Sequence, residues 1–308
     1  MFFELSQRGL ITFAGEEAQN FLHNQLSCDV VAVTLNRSTY GAYCTPKGRM
    51  LASFLLWQSG QGYFMQLPSL LREPIQKQIT KFILRSKVKA ADASSDWVLI
   101  GISGKDATAL LQQVIGQAPN AAHDVVHVDG TAVIRLPTDR YEIVASRDKA
   151  PRILESLAAR AEKAGPELWE WLDIRAGIPT IMPATQEAFV PQMVNLDLIG
   201  GVSFEKGCYP GQEIVARMHY RGTLKQRMYL AHIAGTDSPQ PGDKLYSADF
   251  GEQACGTIVN ATRSPEGGYD ALAVVQIASA GKGNVRWKSS GGPVLKQLPL
   301  PYAVPAAD

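Results

Sequence analysis

The sequence predicts an α+β fold, because helical and strand-like segments alternate irregularly along its 308 residues. Short turns such as Pro46-Lys47-Gly48 and Gly60-Gln61-Gly62 separate neighbouring apolar strands, which is typical of antiparallel hairpins rather than βαβ units. After the Gly- and Pro-rich segment 235–245, the chain becomes short-stranded and rich in glycine. That change indicates a small C-terminal β barrel.

The first two predicted helices follow from apolar residues at helical spacing. They span residues 15–26 and 69–84. The residues expected to be buried are Ala18, Phe21, Leu22 and Leu26 in the first helix, and Ile75, Ile79, Phe82 and Ile83 in the second.

Four further helices are predicted along the rest of the chain. Two lie near residues 104–115 and 150–164. A third begins at Pro166 and ends before Gly177, and a fourth begins at Pro210 and ends at Gly222. Proline suits the first position of a helix and glycine suits the position after its end, so these residues mark the boundaries.

Two polar segments divide the chain into three predicted domains. The segment AADASSD at 90–96 and the linker at 235–245 are the boundaries. The predicted ranges are residues 1–95 and 96–230, both α+β, and residues 231–308, which form the barrel.

Composition narrows the class of protein. A net charge of +1 leaves no global field for nucleic acid or membranes, so such a partner would need a local patch. The N-terminus lacks the features of a signal peptide, and no apolar run reaches the roughly 20 residues of a membrane span. The four scattered cysteines contain no Cys-x-x-Cys pair, so we expect a cytoplasmic protein without a permanently bound metal.

The segment FEKGCYPGQE at 204–213 contains the candidate chemical centre, Cys208. It is predicted one or two residues ahead of a helix, whose positive dipole end favours a thiolate, and Lys206 adds a nearby cation. Gly207 and Gly211 allow a ligand or partner to approach the backbone closely. The alternative is a buried cysteine that only fills space, as many free cysteines do.

The string KGCYPGQE followed by ARMHYRG resembles the signature of the YgfZ family, which is related to the glycine-cleavage T-protein, GcvT. FLHNQLSCDV, YCTPKGRM, LWEWLDIRAGIP and FVPQMVNLDLIGGVSFEKG extend the resemblance over most of the first 230 residues. It implies a GcvT/YgfZ-like multidomain arrangement around a central channel that holds tetrahydrofolate or a derivative. It also implies a role in iron–sulfur cluster biogenesis or repair and in tRNA modification.

The resemblance also implies roles for individual residues. Cys208 matches the family's functionally required cysteine, and its signature neighbours are Lys206, Tyr209, Gly211, Gln212 and Glu213. Trp169 falls where relatives use an aromatic residue to contact folate. Core packing is the alternative for Trp169, and Trp171 could take either role.

The chain departs from its relatives at three places. Ala52 and Ser53 replace two aspartates of the T-protein, which removes the evident acid or base for aminomethyl transfer. Arg175 stands where a glutamate hydrogen-bonds the pterin, and it offers donors instead of acceptors. Arg8 aligns with a folate-contacting tryptophan. Folate binding is therefore expected with altered contacts.

A basic stretch follows the cysteine motif and leaves three alternatives open. Its cations outnumber Glu205 and Glu213, and Arg217 and Arg221 share a helix face. The stretch could be a solvated helix face, hold the glutamyl tail of a folate, or contact RNA. The cations are Lys206, Arg217, Arg221, Lys225 and Arg227, and a second series at Lys77, Lys81, Arg85, Lys87 and Lys89 could extend an RNA track.

The resemblance therefore implies a folate-binding accessory protein for assembly or repair of iron–sulfur proteins, including radical enzymes of tRNA modification. Cys208 would perform a redox step or a transient cluster contact, with the remaining ligands coming from a partner or a small molecule. Two alternatives stay open, a tetrahydrofolate-dependent aminomethyltransferase and a tRNA-binding module. We expect an accessory factor rather than a turnover enzyme.

Overall fold

The computed structural model describes residues 1–60 and 62–305, so Gln61 of one predicted turn lies outside the described residues. The chain forms two compact units. Unit 1 comprises Met1–Tyr40 and Phe54–Trp169, and unit 2 comprises Gly41–Ser53 and the chain from Glu170 onward. The predicted division into three ranges, and the central channel, stay predictions.

Among the described residues up to Arg175, the structure has eleven strands and five helices. The strands are β1 (Phe2–Glu4), β2 (Arg8–Ala14), β3 (Thr39–Cys44), β4 (Met50–Ser59), β5 (Gly62–Pro68), β6 (Lys89–Asp92), β7 (Trp97–Ser103), β8 (Val125–Val128), β9 (Thr131–Leu136), β10 (Arg140–Ser146) and β11 (Lys163–Ala164). The helices are α1 (Ala18–His23), α2 (Ser69–Thr80), α3 (Ala107–Val114), α4 (Ala150–Ala158) and α5 (Pro166–Arg175).

One six-stranded sheet has the order β11-β1-β7-β10-β9-β8. Strand β1 runs parallel to β11, and the other neighbours are antiparallel. Apolar side chains of β7 and β10, such as Ile100 and Ile143, form a buried cluster with Leu111 of α3 and Leu157 of α4. This cluster gives unit 1 a core of its own.

A second sheet has the order β3-β4-β5-β2-β6, and α2 packs against β2, β5 and β6. Ile75 and Ile79 of α2 are buried as predicted. The predicted burial of Phe82 is wrong, because the helix ends at Thr80 and the Phe82 side chain is 46% exposed beyond it. The apolar residues in 81–84 keep the helical spacing of α2, but this segment forms a turn and is not part of the helix.

Unit 2 contains the predicted barrel in the form of a six-stranded antiparallel half-barrel. Its elements are α6 (Gln212–Tyr220), β12 (Gln226–Ile233), β13 (Lys244–Tyr246), β14 (Ala254–Arg263), β15 (Tyr269–Gln276), α7 (Ile277–Ala280), β16 (Arg286–Trp287) and β17 (Leu295–Leu298). The strand order is β16-β13-β14-β15-β12-β17, and an isolated bridge joins Arg286 to Val294. Buried residues including Leu245, Ile258 and Trp287 form its core. The α+β class is therefore confirmed.

Two helix boundaries decide how the candidate residues are held. Helix α5 begins at Pro166 and is followed by Gly177 with a φ of 68°, as predicted. Helix α6 begins at Gln212, so the prediction that it starts at Pro210 is wrong. Pro210 and Gly211 form a turn, and the φ of 84° at Gly211 is incompatible with a right-handed helix.

In the part of the chain that the structure describes, every helix is too short or too polar to traverse a lipid bilayer.

Candidate functional site

Two turns of unit 2 meet at a pair of glycines. Gly48 belongs to the turn in YCTPKGRM and Gly211 to the turn in KGCYPGQE, and both have positive φ. A Cβ atom on Gly211 would lie 2.5 Å from the Gly48 Cα and 2.5 Å from the Thr45 carbonyl oxygen. The backbones can approach this closely only because neither residue carries a side chain. The structure thus brings together two motifs that the sequence presents separately.

The loop before α6 presents Cys208 to solvent. Cys208 is exposed, whereas the next residue, Tyr209, is buried. The Lys206 ammonium lies 5.1 Å from the centroid of the Tyr209 ring, within the range of a cation–π contact. The Gln212 side chain donates a hydrogen bond to the Lys206 carbonyl oxygen at 3.3 Å, which closes the loop. The thiol is therefore reachable, and its neighbours Lys206 and Tyr209 have contacts within the protein.

The corrected start of α6 changes one argument for a reactive thiol. Cys208 lies four residues before Gln212 and not at the first turn of the helix. The helix dipole acts mainly within the first turn. Lys206, in the same loop, is therefore the nearby cation that remains from the sequence argument.

The other three cysteines are buried free thiols. Burial raises the pKa of Cys44 to about 12, and burial also raises the pKa of Cys255. Cys28 is fully buried. Because the thiolate is the reactive form, these environments suppress reaction at Cys44 and Cys255, and burial blocks access to all three.

Trp169, a predicted folate contact, lies in the core of unit 1. Its side chain is 1% exposed, and its ring centroid lies 5.2 Å from that of Phe3. The Arg140 guanidinium lies 5.0 Å from the ring, and a Cβ on Gly101 would lie 2.5 Å from it. This is the core packing that was the alternative for Trp169.

Trp171 belongs to a polar cluster in unit 2 that the sequence did not reveal. At its centre is Asp270 of β15, whose side chain is 3% exposed. Trp171 Nε1 donates to Asp270 Oδ2 at 2.8 Å, and His232 Nδ1 lies 2.8 Å from Asp270 Oδ1. Arg175 adds an ion pair at 3.5 Å, and its guanidinium lies 5.7 Å from the Trp171 ring. A carboxylate at the start of β15, directly before the apolar run at residues 271–275, was the available signal.

The remaining predicted ligand residues are less buried. Arg8 begins β2 of unit 1 and is half-buried. Gln212 and Glu213 lie in the first turn of α6, and Arg217 and Arg221 are exposed at and beyond its last turn. The structure therefore brings Lys206, Cys208, Tyr209 and the α6 residues into one continuous segment of unit 2, and it places Arg8 and Trp169 in unit 1.

Ser53 is one of the two residues predicted from the sequence to align with aspartates of the T-protein. Its hydroxyl donates to the Pro179 carbonyl oxygen at 2.9 Å and accepts from the Ile181 backbone N–H at 3.0 Å. The neighbouring Ala52 is fully buried. Ser53 therefore stabilises the local backbone and Ala52 packs in the interior, so neither residue takes the place of an aspartate as an acid or base.

The five histidines include one pair with the spacing His-x-x-x-His, formed by His123 and His127. The ring of His127 is hydrogen-bonded to the Leu35 carbonyl oxygen at 2.9 Å, and the His123 ring lies 3.3 Å from the Ser38 hydroxyl. Burial lowers the pKa of His123 to about 4. Among residues 1–60 and 62–305, no group of three or more His, Cys, Asp or Glu side chains is arranged to hold a metal ion.

Comparison with known proteins first identifies the fold of the chain. Residues 1–169 match the family described as the GCVT N-terminal domain. The crystal structure of glycine cleavage system aminomethyltransferase T from Bartonella henselae superposes with a TM-score of 0.76, covering 96% of this chain and 84% of that chain at 16% identity. The chain therefore has the GcvT-type aminomethyltransferase fold.

Relatives that are similar in sequence identify the family more narrowly. The tRNA-modifying protein YgfZ of Yersinia enterocolitica is 32% identical over 305 residues, which cover 97% of this chain and 92% of the relative. The protein of the same name from Photobacterium profundum is 34% identical, with 97% and 91% covered. The chain belongs to the YgfZ family.

The exposure of the thiols predicts a simple labelling result. Native protein should react with Ellman's reagent at one thiol per chain, and guanidinium-unfolded protein at all four. The variant Cys208→Ser should show no rapid reaction in the native state. Rapid reaction of a second thiol in native wild-type protein would contradict the burial of Cys28, Cys44 and Cys255.

The contact between Gly48 and Gly211 predicts a strong effect of a single methyl group. Gly211→Ala should lower the free energy of unfolding by roughly 2–5 kcal/mol, because alanine disfavours this backbone conformation and its Cβ would overlap the opposite turn. Gly207→Ala in the same loop is the matched control.

At Gly207 a Cβ would meet nothing within 4 Å, so the control should change the free energy by less than about 0.5 kcal/mol. Urea denaturation measures both variants. Equal stability of Gly211→Ala and wild type would show that the two turns do not meet as described.

Proposed function

We propose that this protein is a folate-binding accessory factor for the assembly or repair of iron–sulfur proteins, including radical enzymes of tRNA modification. The observation that carries the proposal is the exposed Cys208 in a loop that the Gln212 side chain closes by a hydrogen bond to the Lys206 carbonyl oxygen. Its relatives are named tRNA-modifying proteins, which supports the link to tRNA modification. The cytoplasmic location is part of the proposal and agrees with four free thiols.

Cys208 acts in this proposal as one ligand to iron during a transient contact with a client protein. Its sulfur loses a proton and donates an electron pair to an iron atom. Iron–sulfur clusters are generally held by about four ligands, so the client or a small molecule supplies the others. Lys206, two residues before Cys208, is held against the Tyr209 ring and places a cation in the same loop as the thiol. Exposure matters here because a partner has to reach the sulfur.

The residues around α5 fit a folate better through Trp171 than through Trp169. The Trp169 ring is enclosed by Phe3, Gly101 and Arg140, whereas Trp171 is half-buried and oriented by Asp270. Stacking on an indole adds about 0.5–1.5 kcal/mol beyond the burial of area.

Arg175 is the residue that would hold the polar part of such a ligand. Its side chain is 40% exposed, and Asp270 holds one of its nitrogens. Its remaining N–H groups can donate to the pterin carbonyl or to the glutamate carboxylates. A bound tetrahydrofolate would supply a reduced pterin able to carry a one-carbon unit. Arg175 and Trp171 bind and orient it.

Aminomethyl transfer is the weaker candidate for this chain. It needs an acid or base at the reacting centre. Ser53 already bonds to the main chain at residues 179 and 181, and Asp270 is engaged by three donors. The free thiol has no counterpart in that reaction, and the accessory role makes use of it.

Replacement of the thiol tests the iron–sulfur role. In cells that lack the protein, wild type should restore the activity of iron–sulfur enzymes, and Cys208→Ala should not. Because Cys208 is exposed, the variant should keep its free energy of unfolding within about 0.5 kcal/mol of wild type. Cys28→Ala and Cys255→Ala serve as controls and should restore activity when expressed at equal levels. Full restoration by Cys208→Ala would refute the role of the thiol.

Ligand binding is tested separately by titration with tetrahydrofolate. Tryptophan fluorescence should be quenched, and the quenching should be smaller in Trp171→Phe than in Trp169→Phe, since the Trp169 ring is enclosed. Arg175→Met should weaken binding. Calorimetry that shows no saturable heat would remove folate from the proposal and leave the thiol role standing.

A further inference from the structure

An exposed tyrosine at the end of α6 rests on a stack of two other rings. Phe204 and His219 are stacked, with centroids 3.8 Å apart and an interplanar angle of 12°. The Tyr220 ring meets His219 edge-on at 4.7 Å and Phe204 at 6.2 Å. Tyr220 is nevertheless 66% exposed. The support restrains the ring, and most of its surface is free to contact another molecule.

Two exposed arginines flank Tyr220 in the chain. Arg217 lies three residues before it and shares its face of α6, and Arg221 follows it directly, just beyond the end of the helix. Within the described part of the chain, neither guanidinium forms an ion pair or a side-chain hydrogen bond. The nearest exposed apolar residue on this helix is Ile214. We call Phe204, Arg217, His219, Tyr220 and Arg221 the α6 surface.

We propose that the α6 surface binds single-stranded RNA. Arg217 and Arg221 contact phosphates, and a base stacks on Tyr220. Cationic side chains beside an exposed aromatic ring are the two parts from which single-strand binding sites are built. An apolar protein partner would need more apolar area than Ile214 and Tyr220 offer. The two exposed guanidinium groups beside Tyr220 favour an anionic partner.

The α6 surface is independent of the proposed cofactor and metal chemistry, because neither Cys208 nor a folate takes part in it. It would allow the protein to hold an RNA substrate of its client while the thiol loop contacts the client itself. The sequence places the two features within one segment, from Phe204 to Arg221.

The test separates charge from stacking. Fluorescence anisotropy follows binding of a labelled single-stranded RNA of about 12 nucleotides at salt concentrations from about 50 to about 200 mM. Arg217→Ala with Arg221→Ala should reduce the slope of log K against log salt by about 1.4, since each phosphate contact contributes about 0.7. Tyr220→Ala should weaken binding about 5- to 150-fold with an unchanged slope, and Tyr220→Phe should bind as wild type.

The matched control is Lys244→Ala with Lys282→Ala, which removes two exposed cations of the same unit. It should leave affinity and slope unchanged, and thermal melting confirms that each variant is folded. Absence of RNA binding at the lowest salt would overturn the proposal. An equal loss of affinity in the control variant would also overturn it. So would displacement of the RNA by a polyglutamate peptide together with an unchanged affinity of Tyr220→Ala, because the surface would then bind anions without stacking a base.

Discussion

Two turns from distant parts of the sequence pass each other so closely that Gly211 has no room for a side chain. Gly48 and Gly211 both adopt left-handed backbone conformations, and a Cβ on Gly211 would lie 2.5 Å from the Gly48 Cα. This contact sets where α6 begins, and the start of α6 sets where the preceding loop turns. The positions of Lys206, Cys208 and Tyr209 all depend on it. The backbone contact therefore positions the loop that exposes the Cys208 sulfur, and the dipole of α6 plays no part in this.

A second constraint acts through the buried carboxylate of Asp270. It accepts from Trp171, lies beside His232 and pairs with Arg175, so it fixes α5 side chains against the half-barrel of unit 2. A buried carboxylate without such partners would be costly. Its arrangement makes Trp171 and Arg175 an oriented pair. The proposed ligand contacts thus rest on a residue from a strand that carries no family motif.

The sequence predicts those features that depend on local pattern. The α+β class, the boundaries of α5 and the accessibility of Cys208 follow from periodicity, from Pro166 and Gly177, and from the composition of one loop. Local pattern fails where the same residue is compatible with two different local structures. Pro210 suits the first residue of a helix and equally the second residue of a turn, and Gly211 decides for the turn.

The remaining differences have tertiary causes. Phe82 continues the apolar spacing of α2 beyond the point at which the helix ends. Trp169 and Trp171 are two residues apart on one helix, and only the packing around Phe3 and Gly101 shows which indole is enclosed. The partners of Asp270 lie far from it in the sequence, so its role could not be predicted.

We propose that the Cys208 sulfur itself takes part in restoring iron–sulfur clusters. This is measured with purified protein and an iron–sulfur enzyme damaged by oxygen, with ferrous iron, sulfide and a phosphine reductant that carries no thiol. The rate of recovery of enzyme activity is compared before and after alkylation of Cys208 by iodoacetamide. We expect acceleration by the free thiol and none after alkylation. Equal acceleration by the alkylated protein would contradict this proposal.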